Sequence, residues 1–210
     1  VTNASGDTDN DGDFDEIHVF GTRSFSIWNT TTGQLVYDSG DDFEKITAND
    51  PTFGALFNAS NDNNNLKNRS DNKGPEPEGI TVGQINGATY AFITLERTGG
   101  LMTYDITNPL APVFVSYKNS RTTTSLGGDL APEGIIYIAP TNSPVNKGLV
   151  VMANEISATL SVYEITNDTL GNDDYIGNPN SFVVYPNPVI DGKVYFNREV
   201  SVSLFDVTGR

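Results

Sequence analysis

The chain of 210 residues has no cysteine, one histidine, one tryptophan and two methionines, and only 12 basic residues stand against 27 acidic ones. Without cysteine there are no disulfides and no thiolate metal sites, a composition that fits an exported bacterial protein. With His18 alone, a histidine-rich zinc site is excluded by count. A Ser-His-Asp or Cys-His mechanism would have to use His18, which the pattern places inside a strand, and no G-x-S-x-G elbow occurs. The net charge of −15 repels a phosphate backbone, so nucleic acid is not an expected partner, and an anionic membrane surface is disfavoured. No apolar run approaches the roughly 20 residues that span a bilayer. The longest, Gly148 to Ala153, is of strand length. No signal-like region precedes Val1, and the sequence stops at Arg210 directly after a strand-like run, so a chain cut at both ends is expected.

What is abundant is Asn, Thr, Ser, Gly and Asp, with hydrophobic residues at 37%. These polar residues bond their own backbone or accept positive φ, which favours short strands joined by turns over long helices. An internal repeat organises the strands. One unit runs from PEGI (Pro77 to Ile80) through a turn at Asn86-Gly87 to TYAFITLER and GGLMTYDITNP. Another runs from PEGI (Pro132 to Ile135) through a loop at Thr141 to Lys147 to GLVVMANE and ATLSVYEITND. Glu78 pairs with Glu133, Glu96 with Glu155, and Tyr104 with Tyr163, 59 residues on. A degenerate unit, DEIHVFG and RSFSIWNTTTG, precedes them with Trp28 in the Tyr104 position.

Period-two alternation bounded by Gly, Asn and Pro predicts strands, and repeats of three or four strands predict propeller blades. The fold class is therefore all-β: a partial β-propeller of about three blade-like repeats over residues 1–176, its upstream blades missing. A solenoid is the competing architecture, though the repeat is long for one. Residues 41–74 read as an insertion over one end, with Asn61 to Asn65 as a solvated or disordered run and Phe53, Leu56 and Phe57 on one face of a short helix. Residues 177–180 read as a linker, and 181–210 as a truncated small β-sandwich with strands KVYF and VSVSLFDV.

The sharpest chemical motif is GDTDNDGDFDEI. Asp7, Asp9, Asp11 and Asp15 occupy positions 1, 3, 5 and 9 of a loop with Gly12 at position 6, and Asp13 adds a carbonyl at position 7. Alternate carboxylates in a tight loop converge on one point, and many flexible oxygens suit Ca2+ better than Mg2+. An EF-hand needs an acid at position 12, where His18 stands, so a shorter aspartate loop is expected; the bland alternative is a solvated acidic turn. A second constellation comprises Glu76, Glu78, Glu96, Glu133 and Glu155 with Asn154. If the PEGI turns open at a channel mouth, Glu78, Glu133 and Asn154 form a second cation site or orient a water; otherwise each glutamate anchors its own turn. Arg69 and Lys73, in a basic cluster with Lys67, either neutralise these glutamates, receive an anionic group such as phosphate, or lie on a solvated loop. The sequons at Asn29 and Asn58 read as chance in so Asn- and Thr-rich a chain.

The runs GDTDNDGDFDEIHVFGTRSFSIWNTTTGQLVYDSG, RSDNKGPEPEGI, YAFITLERTGGLMTYDITNP and GDLAPEGI resemble the choice-of-anchor I family over about residues 5–166. That resemblance implies a secreted bacterial β-propeller, some members of which carry an alkaline-phosphatase-like label. The tail, through Tyr185-Pro186-Asn187-Pro188 and Phe205 to Arg210, resembles the C-terminal sorting domain of type IX secretion. It implies a Bacteroidetes-type protein, exported by that machinery to the extracellular space or outer-membrane surface. The expected function is a secreted or surface-anchored calcium-binding propeller acting as a binding module for a surface polysaccharide or other extracellular ligand. The alternative is a hydrolase. In a calcium-dependent phosphoesterase Glu78 and Glu133 would hold metal while Arg69 and Lys73 receive phosphate; a lactonase- or esterase-like site would use Glu78, Glu133 and Asn154.

Overall fold

The computed structural model describes residues 5–166 and the backbone of 184–190 and 193–196. The chain divides into two compact units, Val1–Thr166 and Asn167–Arg210. The first holds nine strands: β1 (Ser26–Trp28), β2 (Leu35–Asp38), β3 (Pro77–Ile85), β4 (Ala88–Leu95), β5 (Leu101–Asp105), β6 (Val113–Lys118), β7 (Pro132–Ile138), β8 (Leu149–Asn154) and β9 (Thr159–Glu164). They form three antiparallel sheets in simple sequential order: the hairpin β1-β2, the four-stranded β3-β4-β5-β6 and the three-stranded β7-β8-β9. The chain is thus mostly β, and no closed propeller is formed among the described residues. In the second unit β10 (Val184–Ile190), which contains the YPNP run, pairs antiparallel with β11 (Lys193–Phe196). The linker at 177–180 and the VSVSLFDV strand lie outside the described residues.

Local sequence explains the meander. Asn86 and Gly87 both have positive φ (51° and 85°), the geometry of the tight hairpin turn that matches strand twist, and they join β3 to β4. Alternation then sorts β4 into two faces. Ala91, Ile93 and Leu95 join Met102, Tyr104 and Tyr117 under Phe25 of the hairpin segment and Phe43. Phe92, with Leu101, packs on the other side against Val150 and Met152 of the three-stranded sheet. The Phe25 and Tyr104 rings lie 4.9 Å apart. The three sheets are therefore layered face to face, with the four-stranded one in the middle.

Three expectations change. The run Asp15 to Phe20, including His18, forms no strand, and Ile17 and Val19 stay exposed. An alternating pattern needs a partner to become a ladder, and none lies beside it among the described residues. The insertion contains a true helix, α1 (Asp42–Asn49), whereas Phe53 to Phe57 make only a short 3-10 turn at Gly54–Leu56. Nor are Asn61 to Asn65 a solvated run, because Asn61 is buried and Asn64 is bonded into the fold.

Candidate functional site

The aspartate loop closes on itself through the Glu16 N–H, which donates to the Gly6 carbonyl at 3.0 Å. Inside it the backbone N–H groups of Asp11, Gly12 and Asp13 donate to the carboxylates of Asp9, Asp7 and Asp11 at 3.1–3.2 Å. Thr8 donates twice to Asp15 Oδ2, from its N–H at 2.9 Å and its hydroxyl at 2.7 Å. These Thr8 bonds hold the Asp15 carboxyl below its usual range. Asp7, Asp9 and Asp15 each bring a carboxylate oxygen within 4.8 Å of the other two. Asp7 Oδ1 is buried and has no hydrogen-bond partner. Asp11 and Asp13 do not belong to this convergent trio.

The glutamates gather elsewhere, beside the starts of β3 and β7 and just past the ends of β4 and β8. Both repeats use the same device. Glu76 and Ala131 adopt positive φ (53° and 59°), and their carbonyls accept the N–H groups of Glu96 and Glu155, each at 2.8 Å. A register irregularity then follows at Pro77/Ile80 and at Pro132/Gly134. Such bulges re-aim side chains. The result is a cleft of about 570 Å³ lined by Glu76, Glu78, Glu96, Glu133 and Glu155, with Lys73 and Arg97. Glu78, Glu133 and Glu155 are exposed, while Glu76 and Glu96 are buried.

The insertion supplies two cations to Glu76, and Arg97, beyond β4, reaches both buried glutamates. Arg69 donates to Glu76 at 2.7 Å, and Lys73 and Arg97 approach its other oxygen at 3.4 Å and 3.2 Å. Burial pushes the Glu76 carboxyl up, but its bonds with Arg69, Glu96 and Arg97 more than offset this and hold it below its usual range. Glu96 goes the other way. Burial, then the neighbouring Glu76, pushes it up to about 7 although Arg97 lies 3.3 Å away. Asn61 bridges the two, donating to Glu96 at 3.1 Å and accepting from Arg97 at 2.7 Å.

Asn154 does not join Glu78 and Glu133 in this cleft. Its amide donates to Ser161 Oγ at 2.7 Å and Thr159 Oγ1 at 3.2 Å, and both hydroxyls in turn donate to Asp129. With Glu133 and Glu155 it lines a smaller neighbouring cavity of about 390 Å³. His18 bonds Glu16 in an exposed position. Sequence reading missed Arg97, Asn61 and the buried Arg121, which serve these acids or the loops that carry them.

Among the described residues the geometry is that of an acidic, layered β protein with one convergent carboxylate loop. The model of the choice-of-anchor I domain matches residues 1–109, and the chain belongs to that family. Among curated proteins, Gigasin-3a of Magallana gigas is 26% identical over 200 residues, covering 88% of this chain and 65% of that protein. The chain therefore spans about two thirds of its relative's length. No solved structure matches. The family points to a secreted or cell-surface protein. No described helix is long and apolar enough to cross a membrane.

Proposed function

We propose that this chain is part of a secreted or surface-anchored β-propeller that binds Ca2+ at the Asp7–Asp15 loop and serves as a binding module. The observation that carries the cation is the convergence of carboxylate oxygens of Asp7, Asp9 and Asp15 within 4.8 Å of one another, in a loop where Asp7 Oδ1 is buried without a hydrogen-bond partner. Three carboxylates this close repel one another unless a cation joins them, and oxygen-only donors suit calcium. The stacking of meander sheets supports the propeller. Export by type IX secretion rests on the resemblance of residues 181–210 and belongs to the same proposal.

The hydrolase alternative is weaker. Arg69 is engaged by the buried Glu76 and does not line the cleft, so a phosphate would have to displace that carboxylate to reach it, and Lys73 also leans on Glu76 at 3.4 Å. Glu78 and Glu133 share the cleft, whereas Asn154 lines the neighbouring cavity, its amide nitrogen held by Ser161 and Thr159.

Thermal unfolding of the chain with calcium and with excess chelator tests the cation. Calcium is expected to raise the midpoint beyond NaCl at matched ionic strength, and Asp9→Asn to abolish that excess. An unchanged midpoint on chelation would remove the Asp7–Asp15 site from the proposal.

A further inference from the structure

The three convergent carboxylates are each tied down at one oxygen. Asp7 Oδ2 accepts the Gly12 N–H and Asp9 Oδ1 the Asp11 N–H, both at 3.2 Å. These ties come from the backbone, so they do not depend on which side chain stands at the donor position. Asp15 is held differently. Its Oδ2 takes two donors from one residue, the Thr8 N–H at 2.9 Å and the Thr8 hydroxyl at 2.7 Å. That hydroxyl is the one side-chain donor to the trio among the described residues.

Asp15 needs the extra tie more than its partners do. Asp7 is half-buried. Asp9 is exposed, but its tie is local, to a residue two positions on. Asp15 is exposed too and stands at the far end of the loop, seven positions from Thr8. An exposed carboxylate samples several rotamers, and fixing one of them on binding an ion costs affinity. Closure of the loop does not depend on the hydroxyl. The Glu16 N–H meets the Gly6 carbonyl at 3.0 Å, and Gly6, at φ 113°, has no room for a Cβ, which would stand 2.2 Å from the Glu16 carbonyl oxygen. The neck is shut by backbone, and the Thr8 hydroxyl acts on one carboxylate within it.

We propose that Thr8 is a positioning residue of the cation loop: its hydroxyl holds the exposed Asp15 carboxylate beside Asp7 and Asp9 before an ion arrives. The inference rests on the calcium reading of this loop. Groups that orient metal ligands from behind change affinity by about 10–100-fold, and a charge-assisted hydrogen bond is strong enough to do so. Replacing threonine by another neutral residue leaves the net charge of −15 and its screening by salt unchanged, which no aspartate variant does.

The test is calorimetric titration of calcium chloride into the full chain at fixed ionic strength, beside thermal unfolding in excess chelator. Thr8→Val keeps the branched shape without the donor and is expected to weaken calcium binding about tenfold. Thr8→Ser restores the hydroxyl and is expected to stay within about threefold of wild type. Both are expected to melt with wild type in chelator, whereas loss of a merely structural hydroxyl would lower that midpoint too. Circular dichroism checks the fold, and Thr8→Ala replaces Thr8→Val if the latter misfolds. A wild-type chain that takes up no calcium removes the loop as a site and this inference with it. Wild-type binding that Thr8→Val leaves unchanged, or that serine does not restore, overturns the inference alone. So does a loss of affinity matched by an equal loss of stability in chelator.

Discussion

Glu96 holds a proton near neutrality because it is buried beside the Glu76 carboxylate, which Arg97 offsets only in part. Its pKa of about 7 lies above the 4.5 of a free glutamate, so its contribution to stability is fully present below pH 4.5 and is lost as pH rises through 7. Glu96→Gln removes that slope while keeping an acceptor for Asn61. Urea unfolding in chelator is expected to show little difference from wild type at pH 4.5 and a variant more stable by on the order of 1 kcal/mol at pH 8. A gap that does not widen with pH would sink the assignment. Arg121 is the other informative side chain. It is 2% exposed, and its guanidinium donates to the carbonyls of Arg97, Ser60 and Asn63 at 2.6–2.7 Å and to Asn64 Oδ1. No carboxylate pairs with it among the described residues. A lysine cannot span that fork, so Arg121→Lys is expected to cost about 3 kcal/mol in urea unfolding by leaving buried carbonyls bare.

Between the two larger sheets, β3 comes close against β7 at Gly79. A Cβ placed on Gly79 would stand 2.2 Å from the Glu133 carbonyl, whereas one on Gly134, its counterpart in the repeat, would meet only Ala153 Cβ at 3.5 Å. Gly79→Ala is therefore expected to cost about 2–3 kcal/mol and Gly134→Ala to stay within about 0.5 kcal/mol, measured by the same unfolding titration. Equal effects would mean that β3 and β7 do not approach as described. The repeat that frames this contrast was legible in the sequence, since PEGI, the paired glutamates and the Asn86-Gly87 turn are local signals. The pairing of Glu78 with Glu133 and of Glu96 with Glu155 is local in the same way, but whether they would share one cleft hung on how the PEGI turns opened, and the cleft that does form takes in Glu76 and leaves out Asn154. The polar insertion was not legible. Its helix has a short apolar face, Phe43 and Ile46, whose value depends on Phe25 and Tyr104 outside it. Asn64 reads as a loop residue until Arg121, 57 positions later, arrives to bond it. Local pattern also overstated Asp15 to Phe20, where alternation without a neighbouring strand made no ladder.

For the whole molecule, a charge of −15 means that any added cation relieves self-repulsion, so a rise in melting temperature with calcium does not by itself locate a site. The two contributions separate by ion and by variant. Raising NaCl from low to physiological strength supplies screening alone, and MgCl2 at matched ionic strength is expected to add little more, because magnesium needs near-octahedral geometry and sheds its waters reluctantly. Calcium at matched ionic strength is expected to exceed both. At a concentration 100 times its dissociation constant, a bound ion adds about 2.7 kcal/mol if the loop unfolds with the rest. Asp9→Asn takes one carboxylate from the trio and also removes one negative charge, so it should lose the calcium excess while keeping the NaCl response. Glu155→Gln changes the charge equally at the exposed rim of the cleft and is expected to keep both. If calcium, magnesium and sodium stabilise the chain alike at equal ionic strength, the aspartate loop is a solvated turn, and the acidity of the chain acts only through its field.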